Sequence, residues 1–325
     1  MRRATAYAHT NIALVKYWGK RAVALNLPAT GSLSLTLDRF GTETTVAPHD
    51  DDDDRFVLDG EEVTGKERAR VSSFLDMVRA LAGSRARCAV TSRNDVPTAA
   101  GLASSASAFA ALATAACAAF DVDVDARARS ILARRGSGSA ARSVHGGFVI
   151  LHKGARDDGE DCFAEPVAVA PSLDLRLVVV RCATGRKKTG STDGMTLTER
   201  TSPYFSSWVA THDADLQAAT RALADGDLAS LGRTMERSTL KMHASALAAD
   251  PGLWYFMPVT VAVMNDVRAM HDEGVPAYFT MDAGPHVKIL CKSTDADRVA
   301  ARVAAIAGVL GVEIAGPGPA ARVLA

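Results

Sequence analysis

Residues 97–108 read P-T-A-A-G-L-A-S-S-A-S-A, a glycine turn leading into three serines at the head of an alanine-rich run. Gly101 lets the backbone approach a ligand closely, and Ser104, Ser105 and Ser107 supply hydroxyls. A helix start there adds unpaired N–H groups and a favourable dipole, so the segment is suited to phosphate, and an ATP-using enzyme is the first reading. A loop capping a core helix is the plain alternative, since serine is a common cap. In N-I-A-L-V-K-Y-W-G-K, residues 11–20, Lys16 and Lys20 flank Tyr17 and Trp18 beside an apolar stretch. The lysines could grip an anion, or they could face solvent with Trp18 in the core. In A-R-R-G-S-G-S-A-A-R-S-V-H-G-G-F, residues 133–148, Gly136 and Gly138 permit tight turns, Ser137 and Ser139 add donors, and Arg142 can fork onto a carboxylate or phosphate. A glycine-rich connector with Arg142 on the surface would carry the same letters. R-K-K-T-G-S-T-D-G-M, residues 186–195, sets cations before hydroxyls, a pattern also found in solvated loops. Asp282 ends a strand-like stretch in Y-F-T-M-D-A-G-P-H, where aspartate is also an ordinary turn residue.

Neither of the two best-known nucleotide motifs applies. G-x-x-x-x-G-K-[ST] does not occur, and G-S-G-S-A-A at residues 136–141 follows a helical rather than a strand pattern.

These residues need elements to hold them. Alternation in S-L-S-L-T-L, residues 32–37, places Leu33, Leu35 and Leu37 on one face and suggests a sheet edge or hairpin. The run Asp50 to Asp54 reads as a solvated hairpin tip between residues 42–47 and 55–58, because adjacent like charges repel. A metal site there is disfavoured, since neighbours in an exposed turn rarely converge on one ion. Helices are expected at 66–82, 102–119 and 126–134, and strands at 86–91 and 147–152. The second of those helices is almost wholly apolar and must be buried. A strongly β-forming segment at 173–182 opens a second unit, so the boundary falls near residue 172 and divides the chain into 1–172 and 173–325. Helices at 205–224, 228–247 and 259–273 follow, then strands at 277–281 and 287–292, a helix at 296–306 and a last strand near Val312. Helices on a mostly antiparallel sheet make the α/β (α+β) class.

Composition narrows the function. A chain of 325 residues with 48% hydrophobic and 23% charged content can bury two cores. Zero formal net charge gives no field for nucleic acid or anionic membrane, so an anionic substrate needs a local cationic cluster. Five scattered cysteines, an odd count without metal spacing, argue against a disulfide framework. The polar start and the lack of an 18-residue apolar run give the expectation of a cytoplasmic protein with no membrane partner.

Taken in order, these segments resemble the diphosphomevalonate decarboxylases of the GHMP kinase superfamily, over roughly residues 5–290. The serine loop is similar to the superfamily's ATP loop. N-I-A-L-V-K-Y-W-G-K, R-R-G-S-G-S-A-A-R-S and M-D-A-G-P resemble decarboxylase motifs. The resemblance implies the GHMP kinase fold, with an N-terminal domain like ribosomal protein S5 domain 2, a ferredoxin-like C-terminal domain and an active site between them. It implies ATP-dependent phosphorylation of the 3-hydroxyl of mevalonate 5-diphosphate, then loss of phosphate and carbon dioxide to give isopentenyl diphosphate. In that scheme Asp282 accepts the hydroxyl proton, Lys16 lies near it and keeps it ionised, and Arg142 clamps the substrate carboxylate. Tyr17, Lys20, Ser137, Ser139 and Ser191 hold the substrate, the first two chiefly at its diphosphate. Pro97, Ala100, Gly101, Leu102, Ala103, Ser104, Ser105 and Ser107 hold ATP, with Ser105 near Mg²⁺. A homodimer is also implied. Thr192 follows Ser191 where some bacterial members carry an arginine that contacts substrate, so the diphosphate grip can differ. His145 and His286 lie inside matched motifs and are read as neutral packed or surface residues without chemistry. The alternatives are a phosphomevalonate decarboxylase, a relative that only phosphorylates the 3-hydroxyl, and, from another class, a non-catalytic nucleotide-binding module.

Overall fold

A computed structural model describes residues 1–95, 104–184 and 189–325. The first unit opens with β1 (Ala4–Val15), the short β2 (Lys20–Ala22) and β3 (Leu27–Pro28), and the 18-residue β4 (Ser32–His49). Next come β5 (Arg55–Leu58), β6 (Glu61–Glu62), α1 (Gly65–Ala82), β7 (Arg87–Asn94) and α2 (Ser104–Phe120). It continues with α3 (Ala126–Gly136), α4 (Ala140–Ser143), β8 (Phe148–Leu151) and β9 (Ala164–Pro166). The second unit holds β10 (Leu175–Arg181), α5 (Ser191–Thr201), α6 (Phe205–Ala210), α7 (His212–Asp225), α8 (Leu228–Leu247) and α9 (Pro258–Asp272). It ends with β11 (Tyr278–Met281), β12 (Val287–Lys292), α10 (Ala296–Ala304), β13 (Gly311–Ala315) and β14 (Arg322–Leu324).

The first sheet runs β14-β1-β4-β7-β5-β6, with β8 also paired to β4; the second runs β11-β12-β10-β13 and is antiparallel throughout. Alanine makes α2 a good helix former with almost no side-chain bulk. Ala106, Ala110, Ala113 and Ala116 are therefore fully buried, and the helix packs closely on the sheet beneath. A second cluster fills the second unit around Trp208, Val263 and Phe279. A third joins the two units: Ile12, Leu33, Leu35 and Leu37 from the first pack with Leu175, Leu177 and Leu231 from the second. This shared apolar floor fixes the two units against each other.

Several expectations are corrected. The alternating stretch at 32–37 lies in an interior strand, not at a sheet edge, because β4 pairs with β1 on one side and with β8 and β7 on the other. Its polar face is also buried, as α4 and the segment after it cover Ser32 and Thr36. The aspartate run is no hairpin tip, since β5 pairs parallel with β7 rather than returning along β4. Asp50 to Asp53 are exposed, but Asp54 is buried and takes hydrogen bonds from Arg79, Ser72 and the Cys88 backbone. The helix expected at 205–224 is two helices broken at Thr211, where buried His212 turns its Nε2 to the Gly31 carbonyl at 2.8 Å. Helical periodicity cannot report a partner that lies 181 positions away in the chain. The span 173–325 does not stay with its own sheet: β14 crosses back and pairs antiparallel with β1. Among the described residues no helix is long and apolar enough to cross a membrane.

Candidate active site

β1 ends at Val15, and the next residue, Lys16, is 1% exposed. Its Nζ donates to the Ala13 carbonyl at 2.9 Å and to Asp282 Oδ1 at 2.8 Å. Asp282 follows the last residue of β11, and the Gly-Pro turn folds the chain back into β12. Its other oxygen, Oδ2, receives Lys288 Nζ at 3.0 Å. Both lysine side chains are almost fully buried, whereas 32% of the Asp282 side chain stays exposed. The carboxylate is therefore the member of the cluster that a bound molecule can touch.

Electrostatics follow from this arrangement. Burial pushes the Asp282 carboxyl upward, but the paired lysines outweigh it and hold the group well below the ordinary carboxylate range. Partial exposure weakens the opposing burial effect further. Burial dominates at Lys16, helped by repulsion from Lys288 and Arg142 and only partly offset by Asp282, so its ammonium is pulled down to about 8.

Arg142 lies in the short helix α4 and is 2% exposed. Its Nε donates to Asn11 Oδ1 at 3.1 Å and its Nη1 to Ser32 Oγ at 2.6 Å, while the guanidinium sits 5.8 Å from the Tyr17 ring centroid. Burial lowers it to about 10, against support from Tyr17 and Asp282. No carboxylate bonds it among the described residues. Three cations thus surround one anion, and the site carries excess positive charge before any ligand enters.

A continuous polar path runs from Arg142 to the serine helix. Asn11 Nδ2 donates to the Ser139 carbonyl at 3.0 Å, Ser139 and Ser137 share a hydroxyl contact at 3.3 Å, and Ser137 donates to Ser105 Oγ at 3.3 Å. Gly138 is required here, since a Cβ on it would meet the Tyr17 hydroxyl at 2.2 Å. That hydroxyl is itself buried without a hydrogen-bond partner among the described residues. Lys20 on β2 donates to Asn26 Oδ1 at 2.7 Å; burial, and then Arg70, lower it. Ser104, Ser105 and Ser107 occupy the first turn of α2. Ser107 is fully buried, with its hydroxyl 2.8 Å from Thr42 Oγ1 and 3.4 Å from Thr10 Oγ1, so it ties the helix to the sheet. Ser191 opens α5, whose Gly194 packs against Trp18 and Tyr255. Pro97, Ala100, Gly101, Leu102 and Ala103, and the cations Arg186 to Lys188, lie outside the described residues.

The structure brings Lys16, Asp282, Arg142, Tyr17, Ser137, Ser139 and Ser105 into one neighbourhood. Sequence reasoning missed four more members: Lys288, Asn11, Ser32 and Arg70, which donates to the Gly136 carbonyl at 2.7 Å. Only Lys288 left a legible signal, a lone lysine within the apolar run V-K-I-L-C. His286 is buried, its Nδ1 accepts the Cys182 backbone N–H at 3.0 Å, and burial lowers it to about 4, so it is neutral. Burial likewise lowers His145.

A serine-headed helix on a mostly antiparallel sheet, linked through a polar path to a carboxylate on a second α/β unit, places the chain in the GHMP kinase fold. Residues 8–164 match the diphosphomevalonate decarboxylase-like N-terminal domain, and residues 177–310 match the mevalonate 5-diphosphate decarboxylase C-terminal domain. The chain belongs to the diphosphomevalonate decarboxylase family. It is 34% identical to a diphosphomevalonate decarboxylase of Aspergillus fumigatus, over 94% of this chain and 81% of that one. It is 36% identical to a phosphomevalonate decarboxylase of Haloferax volcanii, over 93% and 92%. The mevalonate diphosphate decarboxylase of Staphylococcus aureus superposes with a TM-score of 0.95 at 40% identity, covering 100% of this chain and 98% of that one. A structure of MDDEF in complex with MVAPP, AMPPCP and magnesium superposes at 0.92 with 39% identity, covering 99% of each chain.

Proposed function

We propose that this chain catalyses the ATP-dependent decarboxylation of mevalonate 5-diphosphate to isopentenyl diphosphate, with ADP, phosphate and carbon dioxide as co-products. The observation that carries this reading is Asp282, a part-exposed carboxylate kept anionic by buried lysines beside Arg142. It accepts the proton of the tertiary 3-hydroxyl as that oxygen takes the γ-phosphoryl group of ATP. A tertiary alcohol is a crowded nucleophile, so holding it in line contributes much of the rate. Lys16 sustains Asp282 as an anion and keeps positive potential where phosphoryl charge gathers. With Nε and Nη1 engaged by Asn11 and Ser32, Arg142 turns its remaining edge to the substrate carboxylate. The C3–O bond then breaks, phosphate leaves with its electron pair, and the pair of the C–C bond to the carboxylate forms the double bond as carbon dioxide departs.

Tyr17, Lys20, Ser137, Ser139 and Ser191 hold the substrate, Tyr17 and Lys20 at its diphosphate, where Arg70 adds charge. ATP is held by residues 97–103, which lie outside the described residues, together with the start of α2. Mg²⁺ supplies charge neutralisation on the nucleotide phosphates. Half-buried Ser105, whose hydroxyl accepts from Ser137, offers a neutral oxygen of the kind that completes such an ion's shell. Among the described residues no group of histidine, cysteine and carboxylate side chains forms a separate metal site. The enzyme works in the cytoplasm, in keeping with its free cysteines, and as a homodimer, a state that rests on the family resemblance alone.

The relative from Haloferax volcanii favours one competing reading, in which the substrate is the monophosphate. Running both substrates in parallel with Mg-ATP separates the two. Equal release of carbon dioxide, ADP and phosphate from the diphosphate supports the assignment; ADP without carbon dioxide indicates a kinase, and no turnover on either substrate overturns it.

A pH dependence follows from Lys16. With its pKa lowered to about 8, the charge on Lys16 is complete below that pH and is lost as pH rises through it, leaving Asp282 with one cation fewer. The profile of kcat/KM should therefore fall on the alkaline side near pH 8, and Lys16→Arg should carry that limb beyond pH ~10, since arginine keeps its proton. A limb that stays put in the arginine variant would remove Lys16 from this role.

A further inference from the structure

Lys288 belongs to none of the motifs that pointed to the site, yet it holds half of the Asp282 carboxylate. β11 and β12 form an antiparallel pair in which Met281 faces Val287 and Thr280 faces Lys288. The chain leaves the sheet at Asp282, turns through Gly284, whose N–H donates to the Asp282 carbonyl at 2.7 Å, and returns with Lys288 beneath the carboxylate. β12 is an interior strand: Lys288 also pairs with Val179 of β10, so its backbone is held along both edges. At 1% exposure its ammonium cannot reach a ligand in the cleft, and its second contact is the His286 carbonyl at 3.4 Å. Lys16, by contrast, arrives from β1 of the other unit, anchored by its N–H to Ser238 Oγ at 3.0 Å. An ionised carboxylate has about four acceptor positions, so two lysines leave room on its exposed side for a hydroxyl.

We propose that Lys288 is a positioning residue, fixing the orientation of the Asp282 carboxylate from within the β11–β12 hairpin and keeping it anionic, while Lys16 joins it from the facing unit. This rests on Asp282 as the proton acceptor. The hairpin thereby presents a preset base that does not depend on the contact between units. Among the described residues, the charged and titratable groups around the pair are Lys16 just beyond β1, Arg142 from α4, His243 from α8, His286 from the turn and Cys182 just beyond β10, whose thiol burial pushes up and so keeps protonated. Burial lowers His243 to about 3 and His286 to about 4, so both imidazoles are neutral above pH ~5 and changes there fall on the carboxylate and the lysines.

The test uses Lys288→Met and Lys288→Gln in the full chain, each confirmed folded by a cooperative thermal transition. Titration of the Asp282 13Cγ resonance, assigned by its loss in Asp282→Asn, should show the midpoint rising by about one pH unit or more when Lys288 is neutral. kcat should fall about 10- to 100-fold with KM within about threefold. The alkaline limb set by Lys16 should also move to higher pH, because a repelling neighbour is gone. Unchanged midpoint and limb alongside a lower kcat would reduce Lys288 to a packing residue and overturn the proposal. Unaltered kcat, or failure of both variants to fold, would overturn it as well. A wild-type protein inactive on both mevalonate phosphates would sink the reading of Asp282 separately, and the resonance titration would still report whether Lys288 holds the carboxylate.

Discussion

Asp282→Asn is expected to cut kcat by about a thousandfold or more while leaving KM for the mevalonate substrate within a few-fold. The amide matches the carboxylate in shape and still fills the space between Lys16 and Lys288, but it cannot take a proton from a hydroxyl. A thousandfold loss corresponds to about 4 kcal/mol of transition-state stabilisation. The variant also leaves two buried ammonium groups without a counter-charge. Lys16 already sits near 8, so part of that strain is relieved by losing its proton, and the alkaline limb should move downward together with the loss of rate. Steady-state kinetics on the purified variant, with carbon dioxide and ADP measured separately, decide the matter. Weakened binding with near-normal kcat would place Asp282 in substrate binding rather than in proton transfer.

The second large effect is expected at Arg142. Arg142→Lys keeps one positive charge but loses the planar fork, so Asn11 and Ser32 cannot both be satisfied while a carboxylate is also gripped. kcat/KM for the mevalonate substrate should fall by about a hundredfold or more, near 2.7 kcal/mol, with KM for ATP almost unchanged. The selectivity of that loss is the informative part. Equal weakening toward ATP and toward the mevalonate substrate would mean that the substitution had disturbed the whole polar path through Asn11 and Ser139. In that case Arg142 would be a structural tie between α4 and the sheet.

Much of the architecture was legible because its signals are local. The apolar helix at 104–120, the strand at 175–181 and the helix at 228–247 follow from composition and periodicity within single segments. Misreadings arose where a residue's role depends on a remote partner. Asp54 looked like the last of five solvated charges, yet Arg79 draws it into the interior. His212 looked like one residue of a long helix, yet Gly31 ends that helix by accepting its imidazole. Ser32 and Thr36 looked like the outward face of an edge strand, yet they lie buried beneath Arg142 and His145.

The chemistry divides along the same line. By itself the sequence determined which functional groups exist and which segments can present them: hydroxyls on a helix start, a guanidinium after a glycine turn, a carboxylate at a strand end. These are properties of residue type and near neighbours. Only the tertiary structure decided that Asp282 is shared between Lys16, 266 positions away, and Lys288, six positions on, and that both lysines are buried while the carboxylate is not. The behaviour of an ionisable group depends on its distance to other charges and on its access to water, and neither quantity exists until distant strands have been brought together.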